Sequence, residues 1–376
     1  MLYDVMRNSL LKRTYHFFIT KFYSPISFRG GWILTYFYST DYKNRKTPWW
    51  RIAMIHLKGW SYNDWQICGI TDKARKQYLS TAEYASLHPL NGAYSTWIDD
   101  KLTLKYILHG TEAGQYMPNY YFELMQDGRV VGLMDLDEKY EESFNGVVEL
   151  LIDKKHLAFK LLKSSLGIGF YRAEYKDGIF YLNGDGMGLD EFLEKLGQLK
   201  GYLVTEYLMA HPDIARLSGN TVGCLRYIIG RKLNGELIDI YSFMRFGTIK
   251  SKFVENYNSG GVLAIIRDGE YSEGNILDME KMKNERIKKH PDTGAALSGK
   301  IPFWDDVVEA AHTVAKVMPQ MVYMGIDFCI TNDNKVKIIE INSLTSLDCI
   351  QTDKSIYDTK GGEFFRERLS FHGRTV

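Results

Sequence analysis

Cysteine is scarce in this chain. Four stand among 376 residues, at Cys68, Cys224, Cys329 and Cys349, and no Cys-x-x-Cys pair occurs. That scatter argues against a disulfide framework or a cysteine zinc site and fits a reducing compartment. Net charge is nearly absent as well, at +1, which argues against a general nucleic-acid binder. No apolar run reaches the roughly 18 residues that a membrane-spanning helix needs. No small-residue cleavage site follows the basic pair Lys12-Arg13, so no secretory leader is expected and the expected location is cytoplasmic. Internal repeats and low-complexity tracts are missing too. What remains is an ordinary globular composition, 45% hydrophobic and 25% charged, long enough for two or three packed units.

Charge is uneven along the chain. Residues 1–60 hold ten Lys/Arg against Asp4 and Asp41, so the remainder is net acidic. The same stretch is crowded with aromatics, among them Phe17, Phe18, Phe22, Trp32, Tyr36, Phe37, Tyr38, Trp49 and Trp50. The first expectation is a helical cap with rings inside and cations outside. The alternative is a basic aromatic surface, peripheral to an anionic membrane or a lipid-linked substrate.

Residues 1–90 read as mostly helical, with loops at Pro25, Gly30-Gly31 and Pro48. A helix is expected over Asp100–Leu108, stopping near Gly110. Strand patterns follow over 120–134, with a turn at Asp127-Gly128, and over 148–183, with a turn at Asp177-Gly178. Leu189–Leu199 reads as a helix, Tyr202–Leu208 as a strand, and 222–233 and 236–246 as strands about Asn234-Gly235. In 305–318, Val307, Ala311, Val314 and Met318 form one helical stripe, which Pro319 ends. The mixture predicts an α+β protein of antiparallel sheets flanked by helices, with a helical aromatic-rich N-terminal region. The expected units are 1–95, 96–210 and 211–376.

The most telling segment is Gly325–Asn342. Two apolar runs flank Asn332-Asp333-Asn334, so it reads as a hairpin. Simple antiparallel pairing sets Asp327 opposite Glu340 and puts Asn342 on the same face. Opposed carboxylates destabilise a strand pair, and a divalent cation would reverse the penalty. Two carboxylates and an amide oxygen make a hard-oxygen site suited to Mg²⁺. A solvated hairpin is the alternative.

Other constellations are weaker alone. Lys160 and Lys163 precede Ser164-Ser165-Leu166-Gly167-Ile168-Gly169, a loop able to lay N–H groups over phosphates or simply to turn. Thr205, Glu206, Tyr207 and Leu208 could present backbone to a purine, or be a buried strand before a helix cap at His211-Pro212-Asp213. Arg226 and Arg245 sit among apolar neighbours and need an anion, either a structural carboxylate or a phosphate. No Ser/His/Asp or Cys/His nucleophile stands out.

Taken in order, these pieces resemble the ATP-grasp superfamily, and more narrowly the sugar-transfer-associated ATP-grasp family. The matching stretches are Asp100-Lys101, Thr205–Leu208 with His211-Pro212, Thr221–Arg226, Asn256–Gly261, Ile301–Trp304, Gly325–Asp327 and Glu340–Asn342, across about 50–355. The resemblance implies an ATP-grasp fold with ATP and Mg²⁺ as cofactors. It implies Lys101 and Lys160 on the ATP phosphates, a mobile loop at Gly167 and Gly169, and adenine against Thr205, Glu206, Tyr207 and Leu208. It further implies Asp213 at the ribose, Arg226 and Arg245 as catalytic phosphate or acyl-phosphate ligands, and Asp327, Glu340 and Asn342 around Mg²⁺. Two departures stand out. Ile168 lies where the loop often carries a cation, and Gly325 lies where many such ligases carry arginine. The implied activity is an ATP-dependent carboxylate–amine ligase whose substrates include a sugar-linked carboxylate. An ATP-dependent phosphotransferase on a hydroxyl, or a non-catalytic nucleotide-binding module, are the alternatives.

Overall fold

A computed structural model describes residues 16–18, 21–23, 26–42, 47–162, 169–218, 221–251, 257–278 and 283–371. Its first sheet comprises β1 (Tyr120–Leu124), β2 (Val130–Gly132), β3 (His156–Leu161), β4 (Tyr171–Lys176), β5 (Ile179–Leu182), β6 (Asp185–Met187) and β7 (Tyr202–Glu206). The order is β2-β1-β7-β3-β4-β5-β6, antiparallel throughout. Helices Phe144–Lys154 and Leu189–Gln198 close one apolar core with it, through Val147, Leu151, Phe192 and Leu196 against Phe122, Leu157 and Val204.

The chain continues through β8 (Cys224–Arg231), β9 (Leu237–Phe246), β10 (Val262–Ile265), β11 (Glu270–Tyr271), β12 (Gly274–Asp278), β13 (Lys283–Ile287), β14 (Gly299–Lys300), β15 (Tyr323–Ile330) and β16 (Val336–Asn342). Seven of these form a second antiparallel sheet in the order β13-β12-β10-β9-β8-β15-β16, while β11 and β14 pair separately. This sheet is covered on both faces, which the period of two in β8 makes plain. Leu225, Tyr227 and Ile229 join a core with helix Trp304–Val317, through Val307, Ala311 and Val314. Ile228 joins a second core with helix Gly361–Phe371 and with Tyr84 and Leu87 of helix Thr81–Leu87. A strand buried on both faces reads as a continuous apolar run, so Arg226 within one is conspicuous.

The α+β expectation holds, with three local corrections. Gly30 and Gly31 lie inside helix Phe28–Asp41 rather than in a loop. Ser27 caps that helix by accepting from the Gly30 N–H, and a side chain at Gly30 would collide with the Ala85 carbonyl. Glycine is there for close packing of two helices. Residues 148–154 belong to helix Phe144–Lys154 instead of a strand: Val147, Val148, Leu150 and Leu151 bury one helical face, and Ser143 caps the start. The N-terminal aromatics also divide. Trp32 and Tyr38 are buried as a cap requires, but Phe17, Phe18, Phe22, Trp49 and Trp50 face solvent.

Candidate functional site

The β15–β16 hairpin sets Asp327 opposite Glu340, and Gly325 opposite Asn342. Simple pairing does not achieve this. From Phe328 to the turn the register is Phe328 with Ile338, one residue out of step with the Asp327–Glu340 pairing, so Ile339 is a bulge. A bulge re-aims the side chains beyond it. Val336 and Ile338 lie in the core beneath the sheet, and so does Ile341. An unbroken alternation would have sent Glu340 and Asn342 there. The extra residue turns both onto the face that carries Asp327. Asn342 Nδ2 donates to Glu340 Oε1 at 3.3 Å, which leaves the amide oxygen free of that bond.

Asp327 is almost wholly buried and is held by two arginines. Arg226, its register partner on β8, donates from Nε to Oδ1 at 2.6 Å and from Nη2 to Oδ2 at 2.5 Å. Arg245 on β9 donates from Nη2 to Oδ2 at 2.8 Å, with the same nitrogen 2.8 Å from Cys224 Sγ. Burial opposes ionisation of Asp327, but the two guanidinium charges overcome it and hold the carboxyl below its ordinary range. The anion that the two arginines need is thus a structural carboxylate. Arg245 Nε is buried without a partner. Glycine at 325 makes room for Thr345: a Cβ there would meet Thr345 Oγ1 at 2.5 Å, while Arg226 Cδ, at 3.4 Å, would lie in ordinary contact.

Two lysines approach the same edge. Lys101 opens helix Lys101–Leu108, whose N-cap Asp100 accepts from the Thr103 N–H at 2.8 Å. Its Nζ lies 3.6 Å from Glu340 Oε2. Lys160, from β3 of the other sheet, is partly buried. Desolvation pushes its ammonium down to about 8, the Lys101 charge pushes the same way, and Glu340 opposes both. Glu340, partly exposed, thus lies in contact with one ammonium group and within the field of another.

The remaining expected residues are spread more widely. Thr205 is fully buried on β7 between Tyr120 and Ala158. Glu206 Oε2 accepts from the Asn119 N–H at 3.0 Å. Tyr207 lies just past the strand, with the Arg172 guanidinium 5.2 Å from its ring centre, and Leu208 is buried. Asp213 stands exposed, 3.7 Å from His211 Nδ1, and among the described residues it pairs with neither Lys101 nor Lys160. Gly169 has φ +72°, and a side chain there would strike Leu161, so local backbone alone demands glycine. Gly167, Ile168 and Asn256 lie outside the described residues. Sequence reasoning missed Cys224 and Lys105. Cys224 sits two residues before Arg226, opposite Arg245, a signal visible once β8 and β9 are aligned. Lys105 is buried, 2.6 Å from Asp135 Oδ2, and donates to the Pro118 carbonyl at 2.9 Å. It ties the Lys101 helix to the start of β1.

Among the described residues no three His, Cys, Asp or Glu are grouped to hold a metal ion, so a cation site here has to recruit Asn342. The donor set fits a hard divalent cation. Glu340 is partly exposed, the Asn342 amide oxygen is not used in the bond to Glu340, and Asp327 is kept ionised by its two arginines.

The family model described as sugar-transfer associated ATP-grasp matches residues 91–359. No curated relative matches the chain. Solved structures that it resembles include the ADP complex of purK, an N5-carboxyaminoimidazole ribonucleotide synthetase, at 11% identity and TM-score 0.35, covering 67% of this chain and 46% of that one. Another is D-alanyl-alanine synthetase A from Vibrio cholerae, at 12% identity and TM-score 0.38, covering 76% and 63%. The ATP-grasp ligase PsnB, complexed with a minimal precursor, stands at 12% identity and TM-score 0.39, covering 76% and 63%. The chain spans about half the length of the carboxyaminoimidazole ribonucleotide synthetases that it matches. With the family match running from the Lys101 helix through the bulged hairpin, this protein belongs to the sugar-transfer associated ATP-grasp family and has the ATP-grasp fold.

Proposed function

We propose that the protein is an ATP- and Mg²⁺-dependent carboxylate–amine ligase acting through an acyl phosphate. The observation that carries this reading is the bulged hairpin. It collects Glu340 and Asn342 on the face of the arginine-clamped Asp327, with Lys101 and Lys160 beside them. Lys101 and Lys160 bind the phosphates. Residues Thr205 to Leu208 receive the base. Asp327, Glu340 and Asn342 would hold Mg²⁺, whose charge offsets that of the phosphates when bound. A substrate carboxylate oxygen attacks the γ-phosphorus, the bridging bond to the β-phosphate breaks, and ADP leaves. An amine nitrogen then attacks the acyl carbon, the carbon–oxygen bond to phosphate breaks, and the amine proton passes to solvent. No protein nucleophile is needed. Positioning and fixed positive charge, with Arg245 Nε as a donor lacking a partner, supply the rate.

The family's sugar-transfer association supports a sugar-linked carboxylate, joined to an amino acid or another amine in polysaccharide or glycoconjugate synthesis. Four cysteines without a disulfide are consistent with cytoplasmic work, and no helix among the described residues is long and apolar enough to cross a membrane. The test is calorimetric titration of Mg²⁺-ATP, and of its non-hydrolysable analogue, into wild type and Glu340→Gln. Altering an outer partner of a metal ligand costs about 10–100-fold in metal affinity, so loss of a ligand is expected to weaken binding by more than about 100-fold. Equal affinity in the two proteins overturns the site.

A further inference from the structure

The outward face of the N-terminal region is apolar, and the exposed charges among its described residues 16–57 are all positive, the nearest exposed acid in the chain being Asp72, which pairs with Lys58. Helix Trp49–Leu57 buries Ile52, Ile55 and His56 against the body of the protein. Trp50, Met54 and Leu57 recur at i, i+4 and i+7 on its opposite side, with Trp49 next to them. These four side chains, with Phe18 and Phe22, are each between 50% and 72% exposed. A surface helix of a globular protein ordinarily turns polar residues outward. This one is apolar on both sides.

The neighbouring segment is anchored to this helix. The Tyr23 hydroxyl donates to the His56 carbonyl and lies 3.1 Å from the Tyr38 hydroxyl, while the Tyr38 ring stacks on His56 at 3.9 Å. That holds the segment carrying Lys21 and Phe22 against helix Trp49–Leu57. Charge then selects the partner. Among the described residues 16–57 the only acid is Asp41, fully buried and engaged by His56 at 2.8 Å, by the Tyr62 N–H and by Ser61. Lys21, Arg29 and Arg51 are exposed, so every exposed charge in this stretch is positive. Exposed tryptophan and phenylalanine among cations, with no exposed acid on the helix itself, is the composition of an interfacial helix face.

We propose that this face docks peripherally on an anionic lipid surface, with Trp49, Trp50, Met54 and Leu57 entering the headgroup boundary and Lys21 and Arg51 meeting acidic headgroups. The docking is independent of the ligase chemistry. Its test is co-sedimentation of the full chain with phosphatidylglycerol/phosphatidylcholine vesicles and with pure phosphatidylcholine vesicles. Wild type is expected to pellet with the anionic vesicles and to be released by high salt. The double variant Trp49→Ser/Trp50→Ser is expected to partition at least about tenfold less. Neutralising Lys21 and Arg51 to Gln lowers partitioning about 25-fold, at roughly fivefold per charge. Ile249→Ser removes an exposed apolar side chain elsewhere and is expected to change nothing. Unchanged thermal unfolding in the variants shows that they are folded. Failure of wild type to pellet, or equal pelleting of the tryptophan variant, overturns the proposal. So does a wild-type dimer that the tryptophan variant dissolves while vesicles leave the protein in solution, because the face would then join two copies.

Discussion

Lys160 carries the sharpest consequence at the scale of single residues. Its ammonium is pushed down to about 8 by burial and by Lys101. A bound polyphosphate stabilises the charged form and raises that value again. Nucleotide affinity is therefore expected to fall as pH rises through about 8, and binding near pH 8.5 should take up protons. Calorimetry in buffers of different ionisation enthalpy measures that uptake, and Lys160→Met is expected to abolish it. The same shift sets a stability trend of known sign. Between about pH 8 and the ordinary lysine range near 10.5 the unfolded chain binds the extra proton, so this group makes stability rise with pH. Urea midpoints at pH 7.5 and 9.5 should therefore climb more for wild type than for Lys160→Met. Proton uptake that is the same in both proteins places the titrating group elsewhere. This residue was legible in the sequence as a cation before a glycine loop. Its neighbour Lys101 was legible only through the family resemblance, because the two are 59 positions apart in the chain.

One inserted residue decides the site at the scale of elements. The spacing of Asp327 and Glu340 about the turn pointed to their pairing, and the pairing is present. The route differs, since the strands run out of step until Ile339 bulges. Without the bulge, Glu340 and Asn342 would enter the core that holds Ile338. Deleting Ile339 is accordingly expected to abolish Mg²⁺-ATP binding and to destabilise the fold by roughly 3 kcal/mol or more, the order of cost for a carboxylate without its partner in an apolar interior. Chemical denaturation and calorimetry on the deletion check both effects. Retained binding would mean that the register is set elsewhere. Bulges are invisible in a hydrophobic pattern because Ile338-Ile339-Glu340-Ile341 reads equally well in either phase. The strand β13, Lys283-Asn284-Glu285-Arg286-Ile287, was missed for a related reason: at a sheet edge it is held by backbone pairing to β12 and needs little apolar alternation.

The two sheets supply opposite sides of the site at the scale of the whole molecule. Lys160 comes from β3 and Glu206 from β7, whereas Asp327, Glu340 and Asn342 come from β15 and β16. Leu203 of β7 shares a core with Phe328 and Ile338, so the sheets are packed together rather than merely linked. A nucleotide bridging them is expected to stabilise the protein by mass action. At a free concentration near 100 times Kd the gain is about 2.7 kcal/mol, a rise of about 3 °C in Tm for a chain of this size. Differential scanning fluorimetry with Mg²⁺-ATP measures it, with Glu340→Gln expected to show no rise. An equal rise in both proteins would assign the stabilisation to another site.

The sequence by itself determined the α+β class, the helix that Asp100 caps, the final hairpin and the pairing of Asp327 with Glu340 across it. Those features rest on local rules, namely capping, turn residues and side-chain alternation, that act within about a dozen positions. Tertiary structure alone decided that Arg226 and Arg245 close on Asp327, that Gly325 leaves room for Thr345, and that the N-terminal aromatics divide between core and surface. These outcomes depend on which strands become neighbours and which helix face finds a partner. Arg226 and Asp327 lie 101 positions apart. Only sheet order brings such distant residues to one register, and only packing decides which side of an amphipathic or doubly apolar helix faces water.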